Sequence, residues 1–376
     1  MRKIAFPIMG DYEVAITYFF KHVSKNVIIT PPKITSRTIE LGNKYSPDFV
    51  CTPFKYTLGT LIECLEMGAN VLVQLGGGCR YGYYSELQEK ILKDLGYKFT
   101  FVNFVIEGRV DFNRIKKEYL KIDKKPNILK LIKYGIITRH MLKYMDKLDE
   151  YIRCNVGFEV NKDSFINKKR QILNSFRKAK SLIDLKIKYL KGMKELKKIK
   201  INKSKNSLKV GIIGELYTIM EPFSNYFLER NLANHNIEIK RFTNVEYLLF
   251  QKAKKVKKYL KTNHKYAKYR MGADALDNIA RCEYLCKNKY DGIIHIKSSF
   301  CTPEIGAMPI INKIAHEYNV PVIFFSFDAN TDETGIITRL EAFYDMIEMR
   351  RQNEKMLPRG WYRLNINKRS YYRWEK

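Results

Sequence analysis

The chain has 376 residues, 45% of them hydrophobic, with 69 Lys and Arg against 39 Asp and Glu and a formal net charge of +30. That hydrophobic share excludes global disorder and leaves room for two or three domains of ordinary size. The charge suits an anionic partner such as nucleic acid, a phosphorylated ligand or an acidic protein, yet Lys, Ile, Asn and Tyr are abundant along the whole chain, so it reads first as a compositional bias.

The opening MRKIAFPIMGDY turns polar too early for a signal peptide, and no window approaches the ~20 apolar residues of a membrane span. A cytoplasmic protein with no membrane partner is the expectation. KIAFPIM reads as a strand, YEVAITYFFKHV as an amphipathic helix and NVIIT as a second strand, stopped by Pro31 and Pro32. DFVCTP reads as a short strand ending in a turn, FKYTLGTLIECLEMGA as a helix, and NVLVQLGGG as a buried strand entering a glycine loop. SELQEKILKDLG is a helix with a glycine stop, and KFTFVNF a further strand. Strands alternating with helices predict a parallel sheet covered on both faces.

From about Val110 to Lys205 the strand signal fades and apolar residues fall at helical spacing. Between Asn161 and Lys205 there are sixteen Lys or Arg against three acidic residues, a pattern expected of a solvated helix face. The α/β pattern restarts at LKVGIIGELY. It continues with a helix at MEPFSNYFLERNLA, a strand at IEIKRF, a helical stretch from Val245 to about Lys287, and a strand at YDGIIHIKSSF. EIGAMPIINKIAHEY is a helix, VPVIFFSFD a strand and TRLEAFYDMIEMRRQ a last helix before a basic, aromatic tail. The expected organisation is an N-terminal α/β lobe (1–109), a basic helical insertion (110–206), a C-terminal α/β lobe (207–350) and a tail (351–376). The fold class is α/β: two similar open parallel-sheet lobes of Rossmann or flavodoxin type with a helical insertion between them.

Cys51-Thr52-Pro53 recurs as Cys301-Thr302-Pro303, each ahead of a helix and each with a buried strand about twenty residues on. With the similar lobe openings KIAFPIMGDYEVAITYFF and KVGIIGELYTIMEPFSNYF, this suggests two copies of one α/β unit. In Cys-Thr-Pro, Thr is suited to cap the helix and Pro to its first turn. The cysteine then sits where free N–H groups and the helix dipole favour a thiolate, the form that binds metal. Gly76, Gly77 and Gly78 lead into Cys79 at a comparable strand end, and their backbone can approach a bound group closely. A phosphate loop is disfavoured, because neither Gly-x-Gly-x-x-Gly nor a Gly-Lys-Ser/Thr ending is present. Arg80 is placed to meet an anionic ligand or to offset cluster charge. Cys51, Cys79 and Cys301 are therefore the candidate metal ligands, and three thiols with little histidine favour an iron–sulfur cluster over zinc. Each cysteine alone also suits a small buried apolar position. Cys64 and Cys154 read as packing, His295 as structural, and Cys282 and Cys286, one helical turn apart, stay open as ligands. FDANTDETG, with Asp328, reads equally as a capped turn and as a loop lining the same cleft.

TSRTIELGNKYSPDFVCTPFKYTLGTLIECLEMGA, GGGCRYGYYSELQEKILKDLGY, KVGIIGELY, DGIIHIKSSFCTPEIG and DETGIITRLEAF resemble the 2-hydroxyacyl-CoA dehydratase component family, in particular its stand-alone members related to acyl-CoA dehydratase activases. The resemblance covers most of both α/β halves. It implies an oxygen-sensitive iron–sulfur protein of anaerobes, a low-potential electron-accepting reductase or dehydratase-like component, reduced by a separate ATP-hydrolysing iron–sulfur activase. An acyl-CoA or other small molecule is the implied substrate, and a homodimer an expected assembly. Cluster-bearing cysteines of the family fall on Cys51, Cys79 and Cys301. Some relatives hold a double-cubane cluster. Here, however, Lys33 and Ile34 stand where relatives commonly have a further cysteine, the glycine loop is shorter by a cysteine, and Asp328 to Thr331 replace a frequent Asp-Glu-His-Thr. A single 4Fe-4S cluster on three cysteines is therefore the expectation. The rivals are a basic nucleic-acid-binding protein and a cluster-less scaffold derived from the family.

Overall fold

The computed structural model describes residues 2–356 apart from residues 75, 77, 78, 107, 108, 111, 263, 264 and 268. The chain divides into two compact units, residues 1–331 and the residues from 332 onward.

The first unit opens with β1 (Lys3–Ala5), α1 (Glu13–Val23), β2 (Val27–Ile28), α2 (Ser36–Tyr45), α3 (Thr52–Glu66), β3 (Val71–Gln74), α4 (Tyr84–Asp94) and β4 (Thr100–Asn103). These strands form one parallel sheet in the order β2-β1-β3-β4. Side chains alternate across it. Ile4, Val71, Val73 and Val102 pack with Phe20 and Val23 of α1, whereas Ala5, Leu72 and Phe101 pack with Phe54, Leu58 and Leu61 of α3 and Leu92 of α4. A short antiparallel pair, β5 (Val105–Ile106) and β6 (Arg109–Val110), leads into α5 (Phe112–Leu120), α6 (Ile128–Asn155), α7 (Ser164–Phe176) and α8 (Leu182–Lys197).

The second sheet belongs to the same unit. It is built from β7 (Lys209–Gly214), β8 (Glu238–Arg241), β9 (Gly292–Ser298) and β10 (Val322–Phe327), all parallel, in the order β10-β9-β7-β8. Between these strands run α9 (Leu216–Met220), α10 (Leu228–Ala233), α11 (Lys252–Thr262), α12 (Ala275–Lys287) and α13 (Thr302–Glu317). Counted by appearance within each lobe, both sheets run 2-1-3-4. The two lobes are thus alike in topology, as the sequence pattern anticipates. The order reverses between β1 and β3 and between β7 and β9, and such switch points open a crevice beyond the C-terminal strand ends.

Helix α6 braces the two lobes together. Tyr12, between β1 and α1, donates its hydroxyl to Asp146 Oδ1 at 2.6 Å, while the Glu246 N–H from the second lobe reaches Asp146 Oδ2 at 3.1 Å. Lys169 of α7 ties Asp149 of α6 to Asp11 at 2.6 and 2.7 Å.

Two local expectations are corrected and one helix is added. In DFVCTP, Asp48 to Val50 form a turn rather than a strand, with Val50 N–H bonded back to the Pro47 carbonyl, and Thr52 and Pro53 already open α3. Helix α2 goes beyond the expected elements. It begins at a capping box of Thr35 and Thr38, and its Gly42 allows α3 to approach closely. MEPFSNYFLERNLA is not one helix. Pro222 ends the run after α9, Tyr226 and Phe227 take left-handed φ values of 52° and 54°, and the Asn225 side chain then accepts from Leu228 N–H to start α10.

The second unit contains α14 (Glu333–Met356), whose first turn is held by Gly335 N–H donating to Asp332 Oδ2 at 2.9 Å.

Candidate functional site

The three candidate cysteines stand beyond the C-terminal ends of the strands, each at the start of a helical turn. Cys51 immediately precedes α3, Cys301 immediately precedes α13, and Cys79 precedes the 3-10 turn Arg80–Tyr83. Capping differs from the sequence expectation. Cysteine itself occupies the N-cap position in both Cys-Thr-Pro copies, and threonine is the first residue of the helix. Thr52 instead reaches into the other lobe. Its backbone N–H donates to Ser298 Oγ at 2.8 Å, its hydroxyl donates to the Phe327 carbonyl at 2.9 Å, and the two hydroxyls lie 3.0 Å apart. The N-terminus of α3 is therefore capped from the end of β9.

Arg80 spans the same junction. Its Nη2 donates to the Phe300 carbonyl at 2.6 Å, and Phe300 meets Phe49 edge-on at 5.7 Å between ring centroids. The loops carrying Cys51, Cys79 and Cys301 are thereby tied to one another. Of the glycine loop, Gly76 is half-buried, while Gly77 and Gly78 lie outside the described residues.

Helix N-termini do not make these sulfurs thiolates in the metal-free chain. Burial pushes the Cys51 thiol up to about 12, with Glu215 and Cys79 adding to the rise and Arg80 opposing it. Burial raises Cys79 to about 11, against the Tyr81 N–H that donates to its sulfur at 3.4 Å. Burial raises Cys301 as well, followed by the charges of Glu215 and Glu304, and Cys51 contributes. The reason is desolvation: a half-charge at a helix end does not replace lost water when the sulfur is enclosed. The expected thiolate preference is overturned for the protonation state of the free thiols. Cys79 adds to the rise at Cys51, Cys51 adds to the rise at Cys301, and Glu215 acts on all three. Among the described residues, no three His, Cys, Asp or Glu side chains converge tightly enough to chelate a single ion.

Glu215 is the carboxylate common to the three cysteines, and the sequence reading passed it by. It follows β7 at the β7/β9 switch point. Its side chain accepts from Tyr217 N–H and Thr218 N–H, both at 2.9 Å, and from the Thr218 hydroxyl at 2.6 Å. Burial lifts its pKa to about 7, although the Thr218 and Tyr217 donors pull it down. The usable signal was its position directly after Gly214 in KVGIIGELY, the end of the lobe's first strand. Two further residues belong to this edge. Tyr84 hydrogen-bonds the Cys51 sulfur through its hydroxyl. Lys297 of β9 is 5% exposed, and burial lowers its pKa while Cys301 and Glu304 oppose the shift. Behind Glu215, Leu216 N–H donates to Asp274 at 3.2 Å, and Lys252 pairs with Asp274 and with Asp277 at 3.2 Å.

The other cysteines pack. Cys64 is fully buried in the first lobe's core, and Cys282 and Cys286 lie in the second lobe's core among Ile279, Leu285 and Ile293. The Cys282 thiol donates to the Ile311 carbonyl at 3.7 Å, and Cys154 to the Ile239 carbonyl at 3.8 Å. His295 is fully buried and pairs with Glu304 at 2.7 Å. Asp328 forms a closed turn, accepting from Ser299 Oγ, Asn330 N–H and Thr331 Oγ1.

Residues 238–347 match the family model of the 2-hydroxyglutaryl-CoA dehydratase, D-component. That stretch carries Cys301, Lys297 and β8 to β10. The match bears out the resemblance to the 2-hydroxyacyl-CoA dehydratase components. A comparison with curated proteins finds no match. No described helix is long and apolar enough to cross a membrane.

Proposed function

We propose that this chain is an iron–sulfur component of the dehydratase type, binding one 4Fe-4S cluster through Cys51, Cys79 and Cys301 and taking electrons from a separate ATP-hydrolysing activase. The observation that carries the reading is the gathering of three cysteines, each opening a helical turn, beyond the switch points of two like sheets. The donor set suits a cluster. Three thiols arrive from three separate elements, and thiolates are the usual ligands of iron–sulfur clusters. When bound, such a group stores an electron and, at an iron without a protein ligand, offers a Lewis-acid position.

The surrounding residues have definable tasks in this reading. Arg80 and the Tyr81 N–H offset negative charge near Cys51 and Cys79. Buried Glu215, raised to about 7, is able to hold or release a proton near neutral pH. The cross-lobe bonds of Thr52 with Ser298 keep the Cys51 turn close to the Cys301 turn.

The test is anaerobic reconstitution with iron and sulfide, followed by metal analysis and electron paramagnetic resonance of the reduced protein. About four irons per chain and a single-cluster signal are expected. Cys51→Ala, Cys79→Ala and Cys301→Ala should each lower iron content, and Cys64→Ala should not. A colourless, iron-free protein after reconstitution would leave a cluster-less scaffold as the correct reading.

A further inference from the structure

Lys297 is unlike the surface lysines of this basic chain. It is the penultimate residue of β9, is 5% exposed, and makes no hydrogen bond or ion pair with the described residues. Alternation along β9 puts it on the face of His295, under the first turn of α13. Cys301 and Glu304 of that turn are the groups whose charge acts on it. Glu304 is already engaged through both oxygens: Oε2 lies 2.7 Å from His295 Nε2, and Oε1 accepts from Asn278 Nδ2 at 2.9 Å. The Lys297 ammonium is thus removed from water without a bonded counter-ion, a costly state that an anion relieves.

The groups around Lys297 are donors as well. Ser326 of β10 is its register partner, so the two side chains share a face, as do those of His295 and Phe324, whose rings meet at 5.4 Å. Ser326 is exposed, and its hydroxyl bonds no described residue. At the start of α13, Cys301 N–H donates to the Ser298 carbonyl and Ile305 N–H to the Cys301 carbonyl, both at 3.0 Å. Glu304 N–H is directed to the Cys301 sulfur, and Pro303 has no N–H. Thr302 N–H remains. In the other Cys-Thr-Pro copy, Thr52 N–H is capped by Ser298 Oγ, whereas exposed Thr302 has no such cap among the described residues. The number of donors sets the class of anion. A phosphate cradle gathers several backbone N–H groups, and this edge has one to give. One ammonium and one helix end suit a singly charged group.

We propose that Lys297, Ser326 and the N-terminus of α13 form a binding site for the carboxylate of a small-molecule ligand. Lys297 supplies the charge, and the Ser326 hydroxyl and Thr302 N–H supply orienting hydrogen bonds. The site lies at the C-terminal end of β9, one of the two strands that flank the second sheet's switch point, where open α/β sheets take their ligands. It adjoins the Cys301 turn, yet it is made of groups that need no cluster to be in place.

The test uses the full chain without added metal, so its outcome is separate from that of the cluster reading. Butyrate, neutral butyramide and inorganic phosphate are each titrated by isothermal calorimetry, and the melting temperature is followed with each. Butyrate is expected to bind and to raise the melting temperature, and butyramide to do neither. Lys297→Met should weaken butyrate binding by about tenfold or more, and Ser326→Ala by about fivefold. Without ligand, Lys297→Met should melt no lower than the parent, because its ammonium has no partner to lose. Ser326 is exposed, so its variant reads the site without disturbing the core. Lys313→Gln, an exposed lysine farther along α13, should bind butyrate as the parent does. The proposal is overturned by absence of butyrate binding, by equal binding in Lys297→Met, by equal loss in Lys313→Gln, or by phosphate binding in preference to butyrate.

Discussion

Ser298 is the residue whose removal tests the junction of the two lobes most directly. It is fully buried at the end of β9, where its hydroxyl oxygen accepts the first N–H of α3 at 2.8 Å and its proton is directed to Thr52 Oγ1 at 3.0 Å. Ser298→Ala deletes both bonds at little change in volume and strands a buried helix-end N–H without an acceptor. Two net hydrogen bonds are worth about 1 kcal/mol each, and the stranded donor adds to that, so a loss of about 2–3 kcal/mol is expected. Thr52→Val removes the hydroxyl shared with Ser298, but the Phe327 carbonyl keeps its bond from Ser299 N–H. Its loss should be smaller, about 1–2 kcal/mol. Because the Ser298–Thr52 bond counts in both single variants, the double variant should fall short of their sum by about 1 kcal/mol. Equilibrium urea unfolding followed by circular dichroism reads all three quantities. A Ser298→Ala protein within about 0.5 kcal/mol of the parent, or strictly additive variants, would refute the cross-lobe cap.

Further outcomes follow from the same geometry. In the metal-free protein Cys79, raised to about 11 by burial, should alkylate at pH 8 on the order of 100-fold more slowly than a cysteine in an unfolded peptide, and peptide mapping after timed iodoacetamide treatment measures it. Gly59→Ala should destabilise by about 2 kcal/mol or more, since an added Cβ would sit 1.9 Å from the Thr38 carbonyl oxygen where α2 and α3 cross; a normal melting temperature would contradict that contact. Asp146 is raised by burial to about 6 from 3.8, so between these values the folded chain holds a proton that the unfolded chain has released. Its contribution to stability accordingly declines as pH rises from about 4 to 6, by up to about 3 kcal/mol, and Asp146→Asn should flatten that part of the stability–pH curve.

Periodicity and composition were sufficient for the lobes. The alternation of short buried apolar runs with amphipathic stretches has one economical solution, a parallel sheet wound on both faces, and the repeated Cys-Thr-Pro signalled that it occurs twice. The same local chemistry located Cys51 and Cys301 at helix starts and Cys79 after a strand, and it carried the family resemblance. Where neighbours in sequence compete, the local reading failed. DFV is apolar enough for a strand, but Pro47 and the following turn take it out of the ladder, and MEPFSNYFLERNLA has helical spacing that Pro222 interrupts. Other properties belong to distance in the chain and are set only when it folds. The cap on α3 comes from 246 residues away. Thiol protonation follows from enclosure and from Glu215, neither of which is written next to a cysteine. The exposure of Ile183, Ile187 and Leu190 is likewise a tertiary result: the helical stripe is visible in the sequence, but an apolar stripe is buried or bare according to what packs against it, and here α8 turns a different face to its neighbours.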